Sequence, residues 1–304
     1  MSPSDVEKHI STRQSFDRDQ IPLYGCLTGF ELPNDSYELS LGLTLRQTYV
    51  DMFAAPMMAF APPVAPGTHH PGPWVAVRGG FSYESRVELC VMDDGRFDGF
   101  TASLTVWLVA ALFRLRIEAP VRLAVLGNMP FNEMGLHGQD AMAVAFEGAT
   151  NHHGLFQGTR FQASAEDLAF VRDLLPTAAR LYHNDRFLRA FSVYDEASWS
   201  PTIELSTVLI WTAIETLFDL GSARHKTKAI AQALSDYVSS SPADRDRAYN
   251  TIRDLYQKRG RVVHVAGKVD SHDFMQTYTL ARYAFTKVIT IGEPPPAPIN
   301  KTQH

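Results

Sequence analysis

Arg259 and His264, an arginine and a histidine with four residues between them, stand near the C-terminal end of the chain. Arginine offers a planar fork of donors to phosphate oxygens, and histidine takes or gives a proton near neutral pH. Together the two residue types suit cleavage of a phosphodiester. The histidine would act as the base, and the arginine would stabilise the charge that develops on the phosphate.

The pair falls at the end of an amphipathic segment that predicts a helix over residues 241–264. In an ideal helix, positions 259 and 264 lie about 140° apart around the axis, so they share no face. Arg261 and His264 do share a face. Either the helix loosens at Gly260, which has poor helix propensity, or Arg259 reaches around the helix on its long side chain.

This segment resembles the signature of HEPN domains, in particular that of the ApeA-like HEPN group. The residues that carry the resemblance are Tyr256, Arg259, Val262, Val263, His264 and Gly267. HEPN families use the arginine of an R-x4-6-H motif, which favours Arg259 over Arg261 and leaves Arg261 to support the phosphate. Many HEPN motifs carry a polar residue directly after the arginine, and this chain departs from that pattern with Gly260.

The resemblance covers residues 165–292 and implies a metal-independent endoribonuclease that uses no cofactor. His264 would remove the proton of a 2′-hydroxyl, Arg259 would stabilise the phosphate, and the product would end in a 2′,3′-cyclic phosphate. Family members work as homodimers whose two motifs face each other, and they commonly serve as cytoplasmic toxins or antiviral-defence effectors. A protein or phage-derived trigger acting on the N-terminal half follows from the same resemblance.

Two glutamates lie on the apolar helix that is predicted over residues 203–218. They are Glu204 and Glu215, and the helical spacing places them on one stripe. A carboxylate in such a helix needs a partner. The segment around Glu215 resembles the HEPN helix that carries an acidic residue near the site. Glu215 then orients Arg259 or His264, or it forms a structural ion pair with Arg253 or Arg259; the sequence leaves both open.

Three lysines are the candidate RNA-binding residues. Lys226 and Lys228 belong to a basic run at the start of a predicted helix, and Lys258 lies beside the motif arginine. Positive charge at a helix N-terminus opposes the helix dipole, so the basic run is unexpected there. It either grips RNA phosphates or forms a solvated face.

The whole chain predicts an α+β fold: a mixed α/β domain over 1–163, an all-α, HEPN-like helical bundle over 164–292 and a Pro-rich tail over 293–304. The predicted strands are Tyr37–Leu45, Trp74–Val77, Arg86–Met92 and Val121–Leu126. Two of the predicted helices are recognised by their ends: one is opened by Ser200 and Pro201 and stopped by Gly221, and one is opened by Ser241 and Pro242. The other predicted helices are Leu104–Ile117, Asp167–Tyr182, Asp185–Ala197, Lys226–Val238 and Ser271–Ile291. The aromatic residues of the last helix, Phe274, Tyr278, Tyr283 and Phe285, are spaced like a core stripe.

Composition narrows the classes of function. The net charge is −5, with −6 in residues 1–164 and +1 in the rest, so an RNA site must be a local cluster in the second half. Cys26 and Cys90 predict reduced thiols in a cytoplasmic protein. The N-terminus has no apolar core typical of a secretory signal, and the apolar run Leu104–Leu115 is too short to cross a membrane.

Two rival functions remain. One is a catalytically silent HEPN module that binds RNA or protein and mediates dimerisation. The other is a zinc-dependent hydrolase built on His69, His70, His137, His152 and His153, although adjacent histidines point in different directions and no metal-binding motif is present.

Overall fold

The structure is a computed structural model that describes residues 16–53, 58–59, 65–68, 75–76, 82–117, 119, 121–137, 140–147, 161–220, 223, 225–265 and 267–296. It has an α+β fold, with an antiparallel sheet region in the N-terminal part and a helical C-terminal half. This fold class agrees with the sequence prediction. None of the helices in these ranges has the length and apolarity needed to cross a bilayer.

The described residues divide into two compact units. The first unit comprises the described residues within Met1–Arg96, Phe100–Val106 and Arg122–Ala149. The second unit comprises the described residues within Phe97–Gly99, Trp107–Val121 and Thr150–His304. The helical unit therefore draws residues from before position 163 as well as after it.

The first unit is built on a six-stranded antiparallel sheet with the order β3-β4-β7-β1-β8-β9. The strands of the described chain are β1 Leu23–Thr28, β2 Phe30–Glu31, β3 Ser36–Ser40, β4 Leu43–Phe53, β5 Met58–Ala59, β6 Val75–Ala76, β7 Ser82–Val91, β8 Arg122–Gly127, β9 Ala143–Ala145 and β10 Phe161–Gln162. Strand β1 lies at the centre of the sheet, between β7 and β8, and is almost wholly buried.

The predicted single strand Tyr37–Leu45 is wrong, because the chain reverses within it. Strands β3 and β4 pair as a hairpin around Gly42, whose φ of 71° is easy for glycine and costly for other residues. The strands β7 and β8 confirm the predictions at 86–92 and 121–126. The prediction at 74–77 holds only for the two residues of β6; Trp74 and Val77 lie outside the described residues.

Two helices begin in the N-terminal part, α1 at Ala102–Arg116 and the short α2 at Met134–His137. Helix α1 confirms the predicted helix at 104–117. In the first unit, Gly25 of β1 lies so close to Val106 of α1 that a Cβ at position 25 would overlap the Val106 side chain. The absence of a side chain at position 25 therefore sets how closely this strand and this helix pack.

The second unit contains six further helices in its described residues. They are α3 Ala165–Tyr182, α4 Asp185–Ala197, α5 Ile203–Leu217, α6 Lys226–Val238, α7 Pro242–Val265 and α8 Ser271–Ile291. The predicted bounds of α4, α6 and α8 are confirmed to the residue. Helix α3 begins two residues earlier than predicted, because Ser164 and Asp167 form a capping box that fixes its first turn.

The predicted start of α5 at Ser200 and Pro201 is wrong. Ser200 is buried, and its amide donates to the carbonyl of Ala197, so it closes α4 rather than opening α5. Thr202 caps α5 instead, accepting a hydrogen bond from the amide of Leu205 at 3.2 Å. The predicted stop, Gly221, lies outside the described residues.

An aromatic cluster forms the core of the helical unit. Phe191 of α4 stacks on Phe187, with ring centroids 5.3 Å apart, and Phe285 of α8 packs against the same cluster. Phe274, Tyr278 and Phe285 are buried as predicted, but Tyr283 is 51% exposed. The prediction for Tyr283 is wrong because that position lies on a different face of α8 from the other three.

Within the second unit, a buried ion pair links the C-terminal part of α1 to α4. Arg114 and Asp195 are 4% and 8% exposed, and their closest atoms are 2.6 Å apart. Asp195 also accepts a hydrogen bond from the indole of Trp107 at 3.1 Å. Because two donors satisfy the carboxylate, the charge is tolerated in the core.

Candidate functional site

Helix α7 carries the Arg-His motif, and its backbone is helical throughout. Ser241 accepts a hydrogen bond from the amide of Asp244, which fixes the first turn as predicted. The helix continues through Gly260 to Val265 without a break, so, of the two alternatives, loosening of the helix at Gly260 is wrong. Positions 259 and 264 therefore stay about 140° apart around the axis. The side chain of His264 lies outside the described part of the structure.

Glu215 of α5 connects three of the predicted site residues. It accepts a hydrogen bond from the hydroxyl of Tyr256 at 2.8 Å, and it pairs with Arg259 at 3.6 Å and with Lys226 at 3.3 Å. Its side chain is 15% exposed. Arg253, the other candidate partner, instead lies over the ring of Tyr249. The contact between Glu215 and Arg259 is compatible with both roles foreseen for Glu215, orienting the arginine and forming a structural ion pair.

Tyr256 is held in place on two sides. Its ring packs edge-on against Trp211 of α5, with centroids 5.2 Å apart, and its hydroxyl donates to Glu215. Burial of the hydroxyl, followed by the hydrogen bond to Glu215 and the charge of Glu215, raises the pKa of Tyr256 to about 12, against a smaller opposing effect of Arg259. Tyr256 therefore stays a neutral hydrogen-bond donor across the physiological range.

The Arg259 guanidinium retains unused donor capacity. Its Nε atom is buried and has no hydrogen-bond partner among the described residues. Its contact with Glu215, at 3.6 Å, is an ion pair that is longer than a hydrogen bond. The guanidinium also lies over the ring of Tyr256, with its carbon 5.7 Å from the ring centroid. A mostly buried donor without an acceptor is costly, and an anionic oxygen is the acceptor that satisfies it best.

Arg259 opens into a small cavity of about 120 Å³. Its charged lining consists of Lys258, Arg259, Arg261, Lys268, Asp270 and Asp273. Lys258 pairs with Asp254 and Asp273, each at 2.9 Å, and its hydrogen bonds to Asp273 and Asp254 raise its pKa. Arg261 and Lys268 are exposed, and neither forms an ion pair within the described part of the chain. The cavity therefore has an excess of positive charge.

Other contributors to this cavity were not predicted as site residues, namely Lys268, Asp270 and Asp273 in its lining and Glu204 behind it. Lys268 follows His264 by four positions, and only a basic residue close to the motif could have suggested it. Glu204 accepts a hydrogen bond from the amide of Val269 at 3.4 Å, so it holds the segment that lines the cavity. Both acidic residues of α5 thus contact either the motif or the segment that follows it.

The remaining candidates lie elsewhere. Lys228 is exposed on α6 and does not line the cavity. His137 ends the short helix α2 in the first unit, and the paired histidines of the zinc hypothesis, at 69–70 and 152–153, lie outside the described residues. Among the residues that the structure describes, no three His, Cys, Asp or Glu side chains are grouped as a metal site requires.

Comparisons of the chain with protein-family models, with curated proteins and with solved structures found no match. The chemistry of the site is accordingly argued from its own atoms. An arginine with free donors, cations around a small cavity and a histidine farther along the same helix suit the binding of a phosphate group.

Proposed function

We propose that the helical unit is a metal-independent endoribonuclease of the HEPN type, acting as a toxin or as an effector of antiviral defence. Arg259 and His264 are its catalytic residues, and Glu215, Tyr256 and Arg261 support them. RNA is the substrate, and a protein or phage-derived trigger acts through the N-terminal unit. The observation that carries the proposal is the largely buried Arg259 guanidinium, whose Nε donor has no hydrogen-bond partner among the described residues and which lines a cavity with an excess of positive charge.

The proposed reaction breaks one phosphodiester. The 2′-oxygen attacks the phosphorus as His264 takes the 2′-hydroxyl proton, and the 5′-oxygen leaves and takes up a proton. The products are a 2′,3′-cyclic phosphate and a 5′-hydroxyl end. A histidine with the ordinary pKa of about 6.5 suits this proton transfer, and Arg259 stabilises the charge on the phosphate.

Glu215 and Tyr256 act on Arg259 rather than on the substrate. Tyr256 supplies the ring under the guanidinium, and Glu215 fixes the Tyr256 hydroxyl while attracting the guanidinium. The contact between Glu215 and Arg259 is longer than a hydrogen bond, so Glu215 does not use up the N–H donors of the guanidinium. Its charge still limits the positions that the guanidinium can take. Lys258 is restrained by Asp254 and Asp273, so its proposed contact with RNA would be weaker than that of Arg261.

The unit works as a homodimer in this proposal, with one motif from each copy. An apolar groove of about 640 Å³ between α7 and α8 supports a protein partner. It is lined by Ile252 and Leu255 of α7 and by Met275, Leu280 and Tyr283 of α8. A cytoplasmic location is part of the same proposal, and two free, buried cysteines in the first unit support it.

The test is cleavage of total RNA and tRNA in EDTA by the wild type, His264→Ala and Arg259→Ala, with analysis of the product ends. We expect cyclic-phosphate ends with the wild type and none with either variant. A matched control on an exposed position of the same helix, Arg253→Ala, should cleave like the wild type. Ends of another chemistry, or equal cleavage by His264→Ala, would refute the mechanism.

The silent module remains the second candidate, and the apolar groove is the observation that favours it. If a well-folded dimer binds RNA but leaves it intact after expression in cells, binding and dimerisation are the function. Substituting Tyr283→Asp at the rim of the groove then should shift the dimer to monomer in sedimentation, with helical content unchanged. Resistance of any observed cleavage to EDTA separates both candidates from the zinc-dependent hydrolase.

A further inference from the structure

Glu215 also lines a second and larger cavity, which we call the α4–α5 pocket. It has a volume of about 700 Å³ and lies between helices α4 and α5. Because Glu215 lines this pocket and contacts Arg259 at 3.6 Å, the pocket lies next to the small cavity that Arg259 lines. Sites for small molecules and cofactors typically measure about 300 to 1,000 Å³, so the pocket has room for one nucleotide.

The α4 side of the pocket carries two arginines and one aspartate, Asp185, so positive charge exceeds negative charge there by one. Arg186 and Arg189 lie three positions apart on α4, so their side chains are neighbours on one face. Arg186 donates to the carbonyl of Pro295 at 2.7 Å, and Arg189 donates to the carbonyl of Asp185 at 3.2 Å. Neither guanidinium pairs with a carboxylate within the described part of the chain. Both therefore keep donors and charge for an anion.

The α5 side of the pocket presents acceptors. Thr212, Glu215, Thr216 and Asp219 follow the helical spacing i, i+3, i+4 and i+7, a polar stripe along a helix that is otherwise mostly apolar. The hydroxyls of Thr212 and Thr216 each donate at 2.8 Å to the carbonyl one turn earlier. Their oxygen lone pairs, together with the Asp219 carboxylate, remain available to accept hydrogen bonds.

Asp219 occupies a conformation that suits glycine better. Its φ is 54°, the one positive value for a residue other than glycine in the described chain. A non-glycine residue in this region is disfavoured, although aspartate tolerates it better than most. The conformation ends α5 in a Schellman motif, in which the amides of Asp219 and Leu220 donate to the carbonyls of Thr216 and Glu215. The same turn places the Asp219 carboxylate in the lining of the pocket.

We propose that the α4–α5 pocket binds a nucleoside phosphate, namely the nucleotide of the RNA chain next to the phosphate held at Arg259. Arg186 and Arg189 bind its phosphate. The hydroxyls of Thr212 and Thr216 and the carboxylate of Asp219 accept hydrogen bonds from its ribose hydroxyls and base amino groups, whereas Glu215 stays with Tyr256 and Arg259. The pocket thereby selects single-stranded RNA with a free nucleotide beside the cut. This assignment rests on the proposed ribonuclease function, but its test does not depend on cleavage.

Binding is measured first, with a fluorescent single-stranded RNA whose 2′-hydroxyls are all methylated and which therefore cannot be cut by this route. Arg189→Ala should weaken binding about tenfold, as expected for the loss of one charged hydrogen bond. It should also reduce the slope of log affinity against log salt by about 0.7, the amount lost with one phosphate contact to a single strand. Arg172→Ala, on the exposed face of α3, is the matched control and should change neither quantity.

A second variant separates ligand contact from folding. Asp219→Gly removes the carboxylate and suits the backbone conformation, so the folded protein should be no less stable than the wild type. Asp219→Gly is compared on unmodified single-stranded RNA, whose 2′-hydroxyls are free, in the His264→Ala background that should not cut it. Weaker binding than by His264→Ala alone supports the pocket. Unchanged binding by both Arg189→Ala and Asp219→Gly overturns it.

Free adenosine monophosphate and inorganic phosphate distinguish the source of the ligand. Adenosine monophosphate that competes with RNA in the wild type but not in Arg189→Ala supports the pocket, and competition by phosphate alone at equal concentration overturns the nucleoside part. If the wild type cleaves RNA, Arg189→Ala should raise KM about tenfold with little change in kcat, whereas Arg259→Ala should abolish kcat. If no cleavage occurs while Arg189-dependent binding persists, the nuclease fails and the pocket stands.

Discussion

The hydrogen bond between Tyr256 and Glu215 is the contact on which the arrangement around Arg259 depends, and a double-mutant cycle measures it. Tyr256→Phe removes the hydroxyl, Glu215→Gln removes the charge, and the double variant removes both. The bond is 2.8 Å long, and the acceptor side chain is 15% exposed. A hydrogen bond to a charged group contributes about 1.5 to 3 kcal/mol, so with partial exposure we expect a coupling energy of about 1 to 2 kcal/mol.

The assay is urea unfolding of the four proteins at neutral pH, with stability taken from the transition midpoints. Tyr249→Phe, on the same helix but over Arg253, is the control and should couple to Glu215→Gln by less than about 0.5 kcal/mol. A Tyr256 coupling as small as that of the control would refute the view that Glu215 holds Tyr256. If the coupling energy is large but neither Tyr256→Phe nor Glu215→Gln changes RNA cleavage, the two residues contribute to stability alone.

Alkaline pH gives an independent reading of the same bond. The folded-state pKa of Tyr256, at about 12, lies above its unfolded value of about 10. The stability that follows from this difference is fully present below pH 10 and is lost as the pH rises towards 12. The stability difference between the wild type and Tyr256→Phe should therefore shrink between pH 10 and pH 12. A difference that stays constant over this interval would contradict the raised pKa.

Three further predictions concern the core and the motif. Asp195→Asn leaves Arg114 buried without its counter-charge and should lower the free energy of unfolding by about 3 to 5 kcal/mol in urea, and a loss below about 1 kcal/mol would contradict the buried pair. Gly25→Ala forces a side chain against α1 and should destabilise the protein by about 1 to 3 kcal/mol in the same assay; an unchanged midpoint would show that the strand and helix separate easily. Co-expression of Arg259→Ala with His264→Ala should restore part of the RNA cleavage that each variant lacks alone, and no recovery in a verified mixed dimer would exclude a site shared between copies.

The helices of the second unit could be predicted because their start and stop signals are local. Asn184 and Asp270 accept hydrogen bonds from the first turns of α4 and α8, and Gly292 ends α8 in the left-handed conformation. The start of α5 failed for the same reason, since Ser200-Pro201 and Thr202 are both plausible openings. Which one is used depends on the burial of Ser200 after α4, a tertiary contact that the local sequence does not reveal.

The central strand and the buried ion pair could not be predicted from local patterns. Strand β1 is buried on both faces, so it lacks the alternation of apolar and polar residues that marks a half-exposed strand. Arg114 interrupts an apolar helix, and its partner, Asp195, is far away in the sequence. A charged residue in an apolar helix predicts that a partner exists, but only the packed structure identifies it.

For the candidate site, the sequence predicted which side chains come together better than it predicted how they are arranged. Glu215, Tyr256 and Arg259 do meet, because α5 packs beside α7 and presents its acidic residue to that helix. The unbroken helix at Gly260 has a further consequence for the proposed chemistry. Positions 259 and 264 leave the axis about 140° apart, so one rigid helix does not direct both towards a single phosphate.

Two ways remain to bring an arginine and a histidine to one phosphate. Arg261 shares a face with His264 and could replace Arg259 within one chain, but Arg261 is exposed, whereas Arg259 is largely buried with an unsatisfied donor. Alternatively, Arg259 of one copy and His264 of a second copy act on the same bond. The second arrangement uses the better-positioned arginine and needs no break in α7. It also explains why recovery of cleavage in a mixed dimer, rather than the loss of cleavage in either variant, is the decisive result.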